Sequence, residues 1–349
     1  GRPMQAVRIA AHGGPEVLQL VELPAPRPGP GEVMVEMKAV SLNHLDIWVR
    51  RGIPGVRYPL PLVPGCDGAG LVAALGPGVE GPDVGTRVAL QPGVSCGRCE
   101  ECLGGRDNLC RHYGILGESR DGTNAELVVV PAANVMPLDA TLSFEEAAAF
   151  PLAFLTAWHM AVSRARLQPA ETVLVHAGAS GVGSAAIQIA RLYRARVFAT
   201  VGSAAKAERV RALGADEVIL YRDADVAAEV RRLTAKRGVD VILDHVGQDT
   251  WEANLRSLAR GGRLVVCGAT SGHEVQTNLR LVFFKNLSLL GSTMGSKAEL
   301  WRVLALLQQG QLRAVVDRVL PLSQVARGHE LLESRSVVGK VVLTLGRAG

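Results

Sequence analysis

Four cysteines lie within fifteen residues of one another, in a stretch that is also rich in glycine: Cys96, Cys99, Cys102 and Cys110. Thiolates at this spacing are typical of a closed tetrahedral zinc site, and the metal itself keeps the thiols deprotonated. Because four protein ligands leave no open position for a substrate, we predict one structural zinc per chain. An iron–sulfur cluster takes the same ligands, and four unrelated free cysteines are the other alternative.

A glycine-rich turn points to a second kind of chemistry. Residues 172–176 form a short apolar run, residues 177–183 read Ala-Gly-Ala-Ser-Gly-Val-Gly, and the apolar residues that follow recur at helical spacing. A strand, a glycine turn and a helix in this order place free backbone N–H groups where a pyrophosphate binds. An ordinary strand-to-helix turn is the alternative, since Ser180 replaces the second glycine of the usual fingerprint. The candidate contacts are Gly178, Ser180, Gly181, Val182 and Gly183.

Length and composition restrict the class of protein. The sequence has 349 residues, 48% hydrophobic and 20% charged, which is enough for two globular domains. The net charge of +5 is dispersed, which argues against a dedicated nucleic-acid-binding protein. We see no uninterrupted apolar run of membrane-spanning length and no signal peptide. Six cysteines in such a chain indicate metal ligands or free thiols, and we expect a cytoplasmic protein.

The first third of the chain is predicted to be antiparallel β-structure. Alternating apolar and polar residues, separated by Pro and Gly clusters, predict a barrel-like domain, with strands at 5–10, 17–23, 32–40, 70–75, 86–90 and 126–130. A capping box at Ser143–Glu146 begins a helix that Pro151 interrupts, and a second helix is predicted for residues 154–166.

From residue 172 onward, predicted strands and helices alternate. This order predicts an α/β domain with a doubly wound parallel sheet, with strands at 172–176, 196–200, 217–221, 239–246, 262–267 and 287–290 and helices at 203–213, 225–236 and 250–259. A helix at 298–308 and a strand at 340–345 are predicted to return to the first domain. We therefore expect one domain from residues 1–152 and 296–349 and a second from residues 153–295.

Several segments are distinctive together with this domain order. They are the four-cysteine lobe, Gly65-Cys-Asp-Gly-Ala-Gly70, Pro151-Leu-Ala-Phe-Leu-Thr-Ala-Trp158, the turn at 177–183 and Leu213-Gly-Ala-Asp216. Over essentially the whole chain they resemble the medium-chain dehydrogenase/reductase family, which includes zinc alcohol dehydrogenases and quinone oxidoreductases. The resemblance implies a GroES-like β-barrel catalytic domain, a Rossmann domain and an NAD(P)-dependent oxidoreductase. It also implies a homodimer or homotetramer that acts on a small molecule, with no nucleic-acid or membrane partner.

The family's alcohol dehydrogenases bind a catalytic zinc through a Cys, a His and a second Cys, and the resemblance places Asn43, Cys66 and Leu152 there. Leucine cannot ligate a metal, and asparagine is a poor zinc ligand beside cysteine or histidine. Leu45 replaces the hydroxyl that begins the family's proton relay. We expect reduction of a carbonyl, enone or quinone without catalytic zinc. The alternative is an alcohol dehydrogenase with an atypical zinc, held by some of Cys66, Asp67, His44 and Asp46.

The candidate catalytic residues are Asn43, Asp46, Cys66 and Asp67, and three of them have a second interpretation. Asn43 either donates a hydrogen bond to the substrate oxygen as negative charge develops or forms a turn. Cys66 is a core thiol, a former ligand or a redox-sensitive residue. Asp67 is an ion-pair partner inside the barrel or a general base. Tyr58 is a proton donor or a packing residue.

The choice of nicotinamide cofactor depends on the end of the second Rossmann strand. Residues 200–203 read Thr-Val-Gly-Ser there, without the acidic residue that binds the ribose of NAD. Lys206 and the pair Tyr221-Arg222 follow, as in the family's NADPH-dependent quinone reductases, and a cation stabilises a 2′-phosphate. We expect NADP, with NAD as the alternative, and contacts from Ser203, Lys206 and Tyr221. The other interpretation is that these cations are only solvated.

Other cofactor contacts are implied by position in the family. His44 and Lys340 correspond to cations against the pyrophosphate, and Thr156 corresponds to a hydroxyl at the nicotinamide. Val246 and Gly268 lie in loops after predicted strands, where ligands of open α/β sheets bind.

Overall fold

The computed structural model describes residues 2–346 and divides the chain into two units. The first unit contains the chain up to Leu152 and again from Ser296, and the second unit is Ala153–Gly295. Among the described residues, no helix has the length and apolar character needed to cross a lipid bilayer.

The N-terminal part of the first unit is mostly antiparallel β-structure. Its strands are β1 (Met4–Arg8), β2 (Gln19–Leu23), β3 (Glu32–Ser41), β4 (Asp67–Leu75), β5 (Arg87–Leu90), β6 (Gly93–Val94), β7 (Gly114–Ile115), β8 (Leu127–Pro131) and β9 (Val135–Pro137). Its helices are α1 (His44–Arg51), α2 (Glu100–Leu103) and α3 (Phe144–Ala149), with 3₁₀ turns at Pro15–Val17, Asp107–Leu109 and Ala132–Asn134. The next helix, α4 (Pro151–Trp158), contains the boundary between the units and continues into the π-helical segment His159–Arg164.

Strands and helices alternate through the second unit. They are β10 (Thr172–Val175), α5 (Gly181–Leu192), β11 (Arg196–Val201), α6 (Ala204–Leu213), β12 (Glu217–Leu220), α7 (Val226–Leu233), β13 (Val239–Asp244), α8 (Trp251–Ser257), β14 (Leu258–Val266), α9 (Leu279–Phe284) and β15 (Ser288–Gly291). The chain then returns to the first unit as α10 (Lys297–Gln308), β16 (Val316–Pro321), a 3₁₀ turn (Leu322–Gln324), α11 (Val325–Glu333) and β17 (Lys340–Thr344).

The long strand β3 organises the large sheet of the first unit. The strand order is β16-β17-β3-β4-β5-β9, and β8 also pairs with β3. Side chains at alternate positions of β3, including Val33, Val35 and Met37, are buried, as expected for a strand with one face on a core. Among the described residues, this path does not join β16 to β9. The predicted antiparallel domain is confirmed as a strongly paired sheet.

The second unit contains the predicted parallel sheet, with strand order β12-β11-β10-β13-β14-β15 and only parallel neighbours. Leu174, Phe198 and Ile242 from three adjacent strands are completely buried, because helices cover both faces of such a sheet. The order of strands reverses between β10 and β13. Ligands of doubly wound sheets bind at the carboxyl ends of the strands beside such a reversal.

Several element boundaries differ from those predicted. The second helix begins at Pro151 rather than at residue 154, because proline fits the first helical position, where its missing N–H has no partner to lose. This helix ends at Trp158, and a π-helical segment follows. The strand predicted from residue 17 begins at Gln19, since Pro15–Val17 forms a 3₁₀ turn. The sequence patterns did not identify α1, α9, α11 or β16.

Candidate functional site

Three separate parts of the chain meet beside the end of β3. Ser41 is the last residue of β3 and is paired with Asp67, the first residue of β4. Ser41 is also paired with Val342 of β17, two residues after Lys340. Asn43 is the N-cap of α1, immediately after β3. Strand pairing therefore brings four of the predicted site residues together in the first unit: Asn43, Cys66, Asp67 and Lys340.

The carboxylate of Asp67 is completely buried and lies at the centre of this group, which we call the Asp67 cluster. Its Oδ2 accepts hydrogen bonds from Asn43 Nδ2 at 2.9 Å and from Ser41 Oγ at 3.3 Å. Its Oδ1 accepts from the backbone N–H of Leu152 at 3.0 Å. Lys340 Nζ lies 3.6 Å from Oδ2. Burial raises the pKa of Asp67, and the ammonium and the hydrogen bonds act against that rise.

Lys340 fixes the orientation of the Asn43 amide. The Lys340 side chain is buried, with 4% of the residue exposed, and its Nζ donates to Asn43 Oδ1. The amide nitrogen of Asn43 therefore faces the other way, toward Asp67 Oδ2 and toward Cys66 Sγ at 3.3 Å. Both amide hydrogens of Asn43 are directed at protein acceptors.

Asp46 and Cys66 border the Asp67 cluster. Asp46 Oδ2 accepts the backbone N–H of Asn43 at 2.8 Å, which stabilises the first turn of α1. Burial raises the pKa of Asp46 to about 6. Cys66 is completely buried, and this burial, followed by the nearby carboxylates of Asp67 and Asp46, raises the pKa of its thiol well above the usual value. The environment of Cys66 thus favours a thiol over a thiolate.

The four predicted metal ligands meet in one place. The sulfur atoms of Cys96, Cys99, Cys102 and Cys110 all lie within 4.8 Å of one another. Two of them accept backbone hydrogen bonds, Cys99 Sγ from the N–H of Cys102 at 3.5 Å and Cys110 Sγ from the N–H of His112 at 3.4 Å. This donor set fits a tetrahedral ion with four thiolate ligands. In the described part of the chain, no other group of three or more His, Cys, Asp or Glu side chains meets the same distance limit.

The lobe that carries the cysteines is attached to the start of α10. Asp107 lies between the third and fourth cysteines, and its Oδ1 accepts the backbone N–H of Lys297 at 3.0 Å. Lys297 Nζ donates to the carbonyl oxygen of Gly93 at 2.8 Å and lies 3.6 Å from Asp107 Oδ2. The position of the lobe therefore depends on a helix that begins 190 residues after Asp107 in the chain.

The glycine-rich turn of the second unit follows β10 directly. Ser180 is the N-cap of α5: its Oγ accepts the N–H of Gly183 at 2.9 Å and donates to the carbonyl oxygen of Ala177 at 2.8 Å. A Cβ at Gly183 would lie 2.1 Å from that same carbonyl oxygen, so only glycine fits. Ser180 thus closes the turn as a capping residue, and Gly181 and Val182 open the helix. The free N–H groups of this helix start lie at the carboxyl end of the sheet.

The residues predicted to select the nucleotide lie at the ends of β11 and β12. Ser203 is the N-cap of α6, and its Oγ accepts the N–H of Lys206 at 3.4 Å. A Cβ at Gly202 would lie 3.1 Å from Tyr221 Oη and 3.5 Å from Arg222 Nε, so the two strand ends are in contact. The structure brings these residues together in the second unit.

The remaining predicted residues are placed as follows. His44 is exposed at the first position of α1, and Thr156 is buried in α4. Val246 donates its N–H to Asp244 Oδ1 at 2.7 Å, and Gly268 follows β14. Tyr58 packs edge-on against the ring of His12, with centroids 5.7 Å apart.

Sequence reasoning missed two groups of residues. Ser41 belongs to the Asp67 cluster, and its one hydroxyl hydrogen is shared between Asp67 Oδ2 at 3.3 Å and the carbonyl oxygen of Ala148 at 2.8 Å. The second group is a set of buried polar side chains in the second unit: His176, Thr200, Asp244 and Asn254. For His176, Thr200 and Asp244 the available signal was a polar residue at the end of an apolar strand, in three adjacent strands of the sheet; Asn254, in α8, gave no such signal.

Comparison with known proteins agrees with this geometry. Residues 29–140 match the protein family described as "Alcohol dehydrogenase GroES-like domain", and residues 181–309 match "Zinc-binding dehydrogenase". A quinone oxidoreductase from Salmonella typhimurium is 33% identical over 351 residues, which cover 97% of this chain and 98% of the relative. The chain belongs to the medium-chain dehydrogenase/reductase family. It is an NAD(P)-dependent oxidoreductase, as predicted.

Solved structures of medium-chain dehydrogenases/reductases have the same fold. An NAD-dependent alcohol dehydrogenase is 54% identical, with a TM-score of 0.95, and the match covers 98% of this chain and 100% of that one. A cobalt- and zinc-bound thermostable alcohol dehydrogenase from Pyrobaculum aerophilum is 36% identical, with a TM-score of 0.90, over 99% and 100% of the two chains. The predicted combination of a GroES-like domain and a Rossmann sheet is confirmed.

Proposed function

We propose that this enzyme uses NADPH to reduce a quinone, an enone or another small carbonyl compound, without a catalytic metal. The observation that carries the proposal is the Asp67 cluster. At the position where the resemblance places the family's catalytic zinc, Asn43 is hydrogen-bonded to a buried ammonium and a buried carboxylate. A single structural zinc per chain, bound by the four-cysteine lobe, is part of the proposal.

The donor atoms of the Asp67 cluster are poorly suited to a zinc ion. A catalytic zinc takes three protein ligands, whereas Asn43 Oδ1 is occupied by Lys340 Nζ and Leu152 offers only a backbone N–H. Lys340 already supplies a positive charge 3.6 Å from Asp67. A divalent cation beside that ammonium would be repelled, and both would lose their hydration in a buried site.

We propose that Asn43 and Lys340 stabilise the negative charge that develops on the substrate oxygen. When bound, a nicotinamide cofactor would supply the hydride. The N–H of Asn43 that faces Cys66 is the one a substrate oxygen would take, since a thiol sulfur is a weak acceptor. The ammonium of Lys340 on Asn43 Oδ1 polarises the amide and strengthens that N–H as a donor.

The preference for NADPH is supported by the ends of β11 and β12. Lys206 lies in the first turn of α6, and Arg222 lies against the Tyr221 ring, 5.8 Å from its centroid. Both are cations near the place where an acidic residue would bind the ribose of NAD. Replacing Lys206 with Ala should raise the KM for NADPH at least about tenfold, because a charge-assisted hydrogen bond contributes roughly 1.5–3 kcal/mol. The KM for NADH should change little.

Arg209→Ala, a change of another cation in α6, is the matched control and should leave both KM values unaltered. Equal effects of Lys206→Ala on the two nucleotides would remove the support for NADPH.

A second candidate function is an NAD-linked alcohol dehydrogenase. It is favoured by the 54% identical solved structure, which is an NAD-dependent alcohol dehydrogenase. In that case a second zinc would bind near Cys66, and the Asp67 cluster would rearrange to release Lys340 from Asn43. The two candidates differ in metal content, in nucleotide and in the direction of reaction that is tested first.

The deciding experiment is the zinc content of protein purified without added metal, combined with turnover assays. We expect one zinc per chain, and we expect quinone or enone reduction with NADPH to continue in a chelator that leaves the four-cysteine zinc in place. Two zinc ions per chain, together with alcohol oxidation that the chelator abolishes, would establish the second candidate instead.

We also propose a homodimer that pairs along β15, with a homotetramer as its further assembly. β15 ends the parallel sheet, and Leu279, Phe283 and Phe284 of the preceding helix are 68%, 61% and 64% exposed. An apolar patch beside an unpaired strand edge is typical of an interaction surface. Phe283→Glu should convert the dimer to a monomer in sedimentation experiments, and an unchanged mass would contradict this. We also propose a cytoplasmic location, which is compatible with six cysteines that form no disulfide among the described residues.

A further inference from the structure

A chain of buried hydrogen bonds crosses the second unit at the carboxyl ends of three strands. His176 follows β10, and its Nδ1 lies 3.1 Å from Thr200 Oγ1 in β11. His176 Nε2 lies 2.7 Å from Asn254 Oδ1. Asn254 Nδ2 in turn donates to Asp244 Oδ2, at the end of β13, at 2.7 Å. All four residues are buried, with at most 4% of their surface exposed.

Each end of this chain of hydrogen bonds holds the backbone of a loop. At one end, the N–H of Ala177, the first residue of the glycine-rich turn, donates to Thr200 Oγ1 at 3.1 Å. At the other end, Asp244 Oδ1 accepts the N–H of Val246 at 2.7 Å, and Oδ2 accepts the hydroxyl of Thr250 at 2.5 Å. Both loops lie at the carboxyl ends of the strands, where a dinucleotide binds in this class of fold.

The donors and acceptors can be assigned in one direction. The Asp244 carboxylate only accepts, so Asn254 turns its N–H toward Asp244 and its oxygen toward His176. A neutral His176 ring then carries its proton on Nε2, and its Nδ1 accepts the hydroxyl hydrogen of Thr200. All donors point toward Asp244, and each hydrogen bond polarises the next. The alignment therefore strengthens the hold on the Ala177 N–H.

We propose that His176 is a positioning residue for the dinucleotide, because it joins the glycine-rich turn to the loop between Asp244 and Thr250 through one directed chain of hydrogen bonds. The inference rests on the dinucleotide of the proposed function but not on the choice between NADP and NAD. An apolar set of residues would pack between these strands without the desolvation of four polar side chains. The buried groups instead fix two loop backbones that would contact parts shared by both nucleotides.

The inference is tested by removing one hydroxyl. Thr200→Val keeps the shape of the side chain but leaves the Ala177 N–H and His176 Nδ1 without partners. Thr200→Ser retains the hydroxyl and should restore binding. Thr234→Val is the matched control. Thr234 Oγ1 accepts the N–H of Gly238 at 2.9 Å, and Gly238 directly precedes β13, at the amino ends of the strands and away from the predicted nucleotide site. Dissociation constants for NADH and NADPH are measured by calorimetry, and thermal midpoints are measured without nucleotide.

We expect Thr200→Val to raise the Kd of both nucleotides by the same factor, about tenfold, which corresponds to about 1.4 kcal/mol. Amide hydrogen exchange in residues 177–183 and 245–250 should become faster in the same variant. His176→Phe, which removes both ring nitrogens, should give the same pattern. Thr234→Val should lower the thermal midpoint without changing either Kd.

Unchanged Kd values in Thr200→Val, beside normal binding by the unmodified enzyme, would overturn this inference alone. A loss confined to NADPH would overturn it as well, since the 2′-phosphate would then be the group affected. An unmodified enzyme that bound neither nucleotide would overturn the proposed function and this inference together.

Discussion

The four-cysteine lobe and the Asp67 cluster, both in the first unit, contain residue types that bind metals, but they are built in opposite ways. In the lobe, four sulfur atoms lie within 4.8 Å of one another. In the Asp67 cluster, the ammonium of Lys340 and the amide of Asn43 lie among the carboxylate and the thiol. Four thiolates in the lobe would require an added cation to neutralise them, whereas the Asp67 cluster already contains a cation from its own chain.

The comparison shows that ligand types alone do not define a metal site. A thiol becomes a good ligand when a metal or positive surroundings favour the thiolate. Cys66 has the reverse environment, since burial and two carboxylates raise its pKa. The charge around the candidate ligands, rather than their number, separates the two regions.

The largest effect is expected when the lobe loses its metal. Cys110→Ser removes a buried ligand, so zinc content should fall from one per chain to near zero. Structural zinc sites bind with apparent free energies of roughly 10–16 kcal/mol, and we expect the loss to destabilise the lobe by several kcal/mol. Metal analysis and thermal unfolding measure both effects. Cys267→Ser, outside the lobe, is the control and should retain the zinc; full zinc content in Cys110→Ser would contradict the assignment.

The next effect concerns the internal cation. Lys340→Met leaves the Asp67 carboxylate buried without its ammonium, which should lower the free energy of unfolding by about 3–5 kcal/mol in urea titrations. Lys38→Met breaks an exposed pair with Glu36 and should cost at most about 1 kcal/mol. The double variant Lys340→Met/Asp67→Asn should recover part of the loss. Similar losses in the free energy of unfolding for Lys340→Met and Lys38→Met would show that the buried ion pair contributes no more to stability than the exposed one.

A smaller and pH-dependent effect is expected at Asp46. Its pKa is about 6 in the folded protein against 3.8 in the absence of burial, so the folded state binds this proton more tightly. Stability therefore falls as pH rises from about 4 to 6, and the full penalty persists above that range. Asp46→Asn removes this dependence. The unfolding free energy of the variant, relative to that of the unmodified enzyme, should therefore rise by up to about 3 kcal/mol between pH 4 and pH 6.

Asp139→Asn provides a control of opposite sign for the Asp46 experiment. Hydrogen bonds from Thr141 lower the pKa of Asp139 below its usual value of 3.8, so Asp139→Asn should lose stability relative to the unmodified enzyme as pH rises toward about 4. From about pH 4 to 6, where Asp46→Asn gains, the difference between Asp139→Asn and the unmodified enzyme should be nearly constant. A flat difference between Asp46→Asn and the unmodified enzyme from pH 4 to 6 would contradict the raised pKa.

The smallest change is expected from adding a ligand while Lys340 remains. Asn43→Cys places a further thiol beside Cys66, yet zinc content should stay at one per chain because the ammonium still occupies the cluster. In Asn43→Cys/Lys340→Met the ammonium is gone, and zinc content should rise toward two. A second zinc in the single variant would show that ligand number outweighs the local charge.

The lobe and the parallel sheet could be predicted because their signals are local. Cysteine spacing is enough to identify a four-thiolate site, and alternation of strands with helices is enough to predict the sheet of the second unit. The Asp67 cluster could be predicted only in part. Asn43, Cys66 and Asp67 were identified through the family resemblance, but the contact between Lys340 and Asn43 joins residues 297 positions apart.

The sequence did not reveal a structural role of Asp46. Its carboxylate stabilises the start of α1, and its catalytic role stays a prediction. The chain of hydrogen bonds from Thr200 to Asp244 was missed because His176, Thr200 and Asp244 are single polar residues at the ends of apolar strands. The pairing of β10 with β11 and β13 brings these three together, and the fourth member, Asn254, comes from α8.

The late position of Lys340 has a consequence for how the enzyme is made. The second unit is one continuous segment and is complete once residue 295 has been synthesised, whereas β3 still lacks β17 at that point. At a synthesis rate of about 5–20 residues per second, roughly 10–40 s pass between Leu152 and Lys340. Throughout that interval the growing chain carries an unneutralised Asp67 and an open strand edge. A chain that ended before β17 would therefore contain the whole of the second unit, but its first unit would lack the strand that pairs with β3 and carries Lys340.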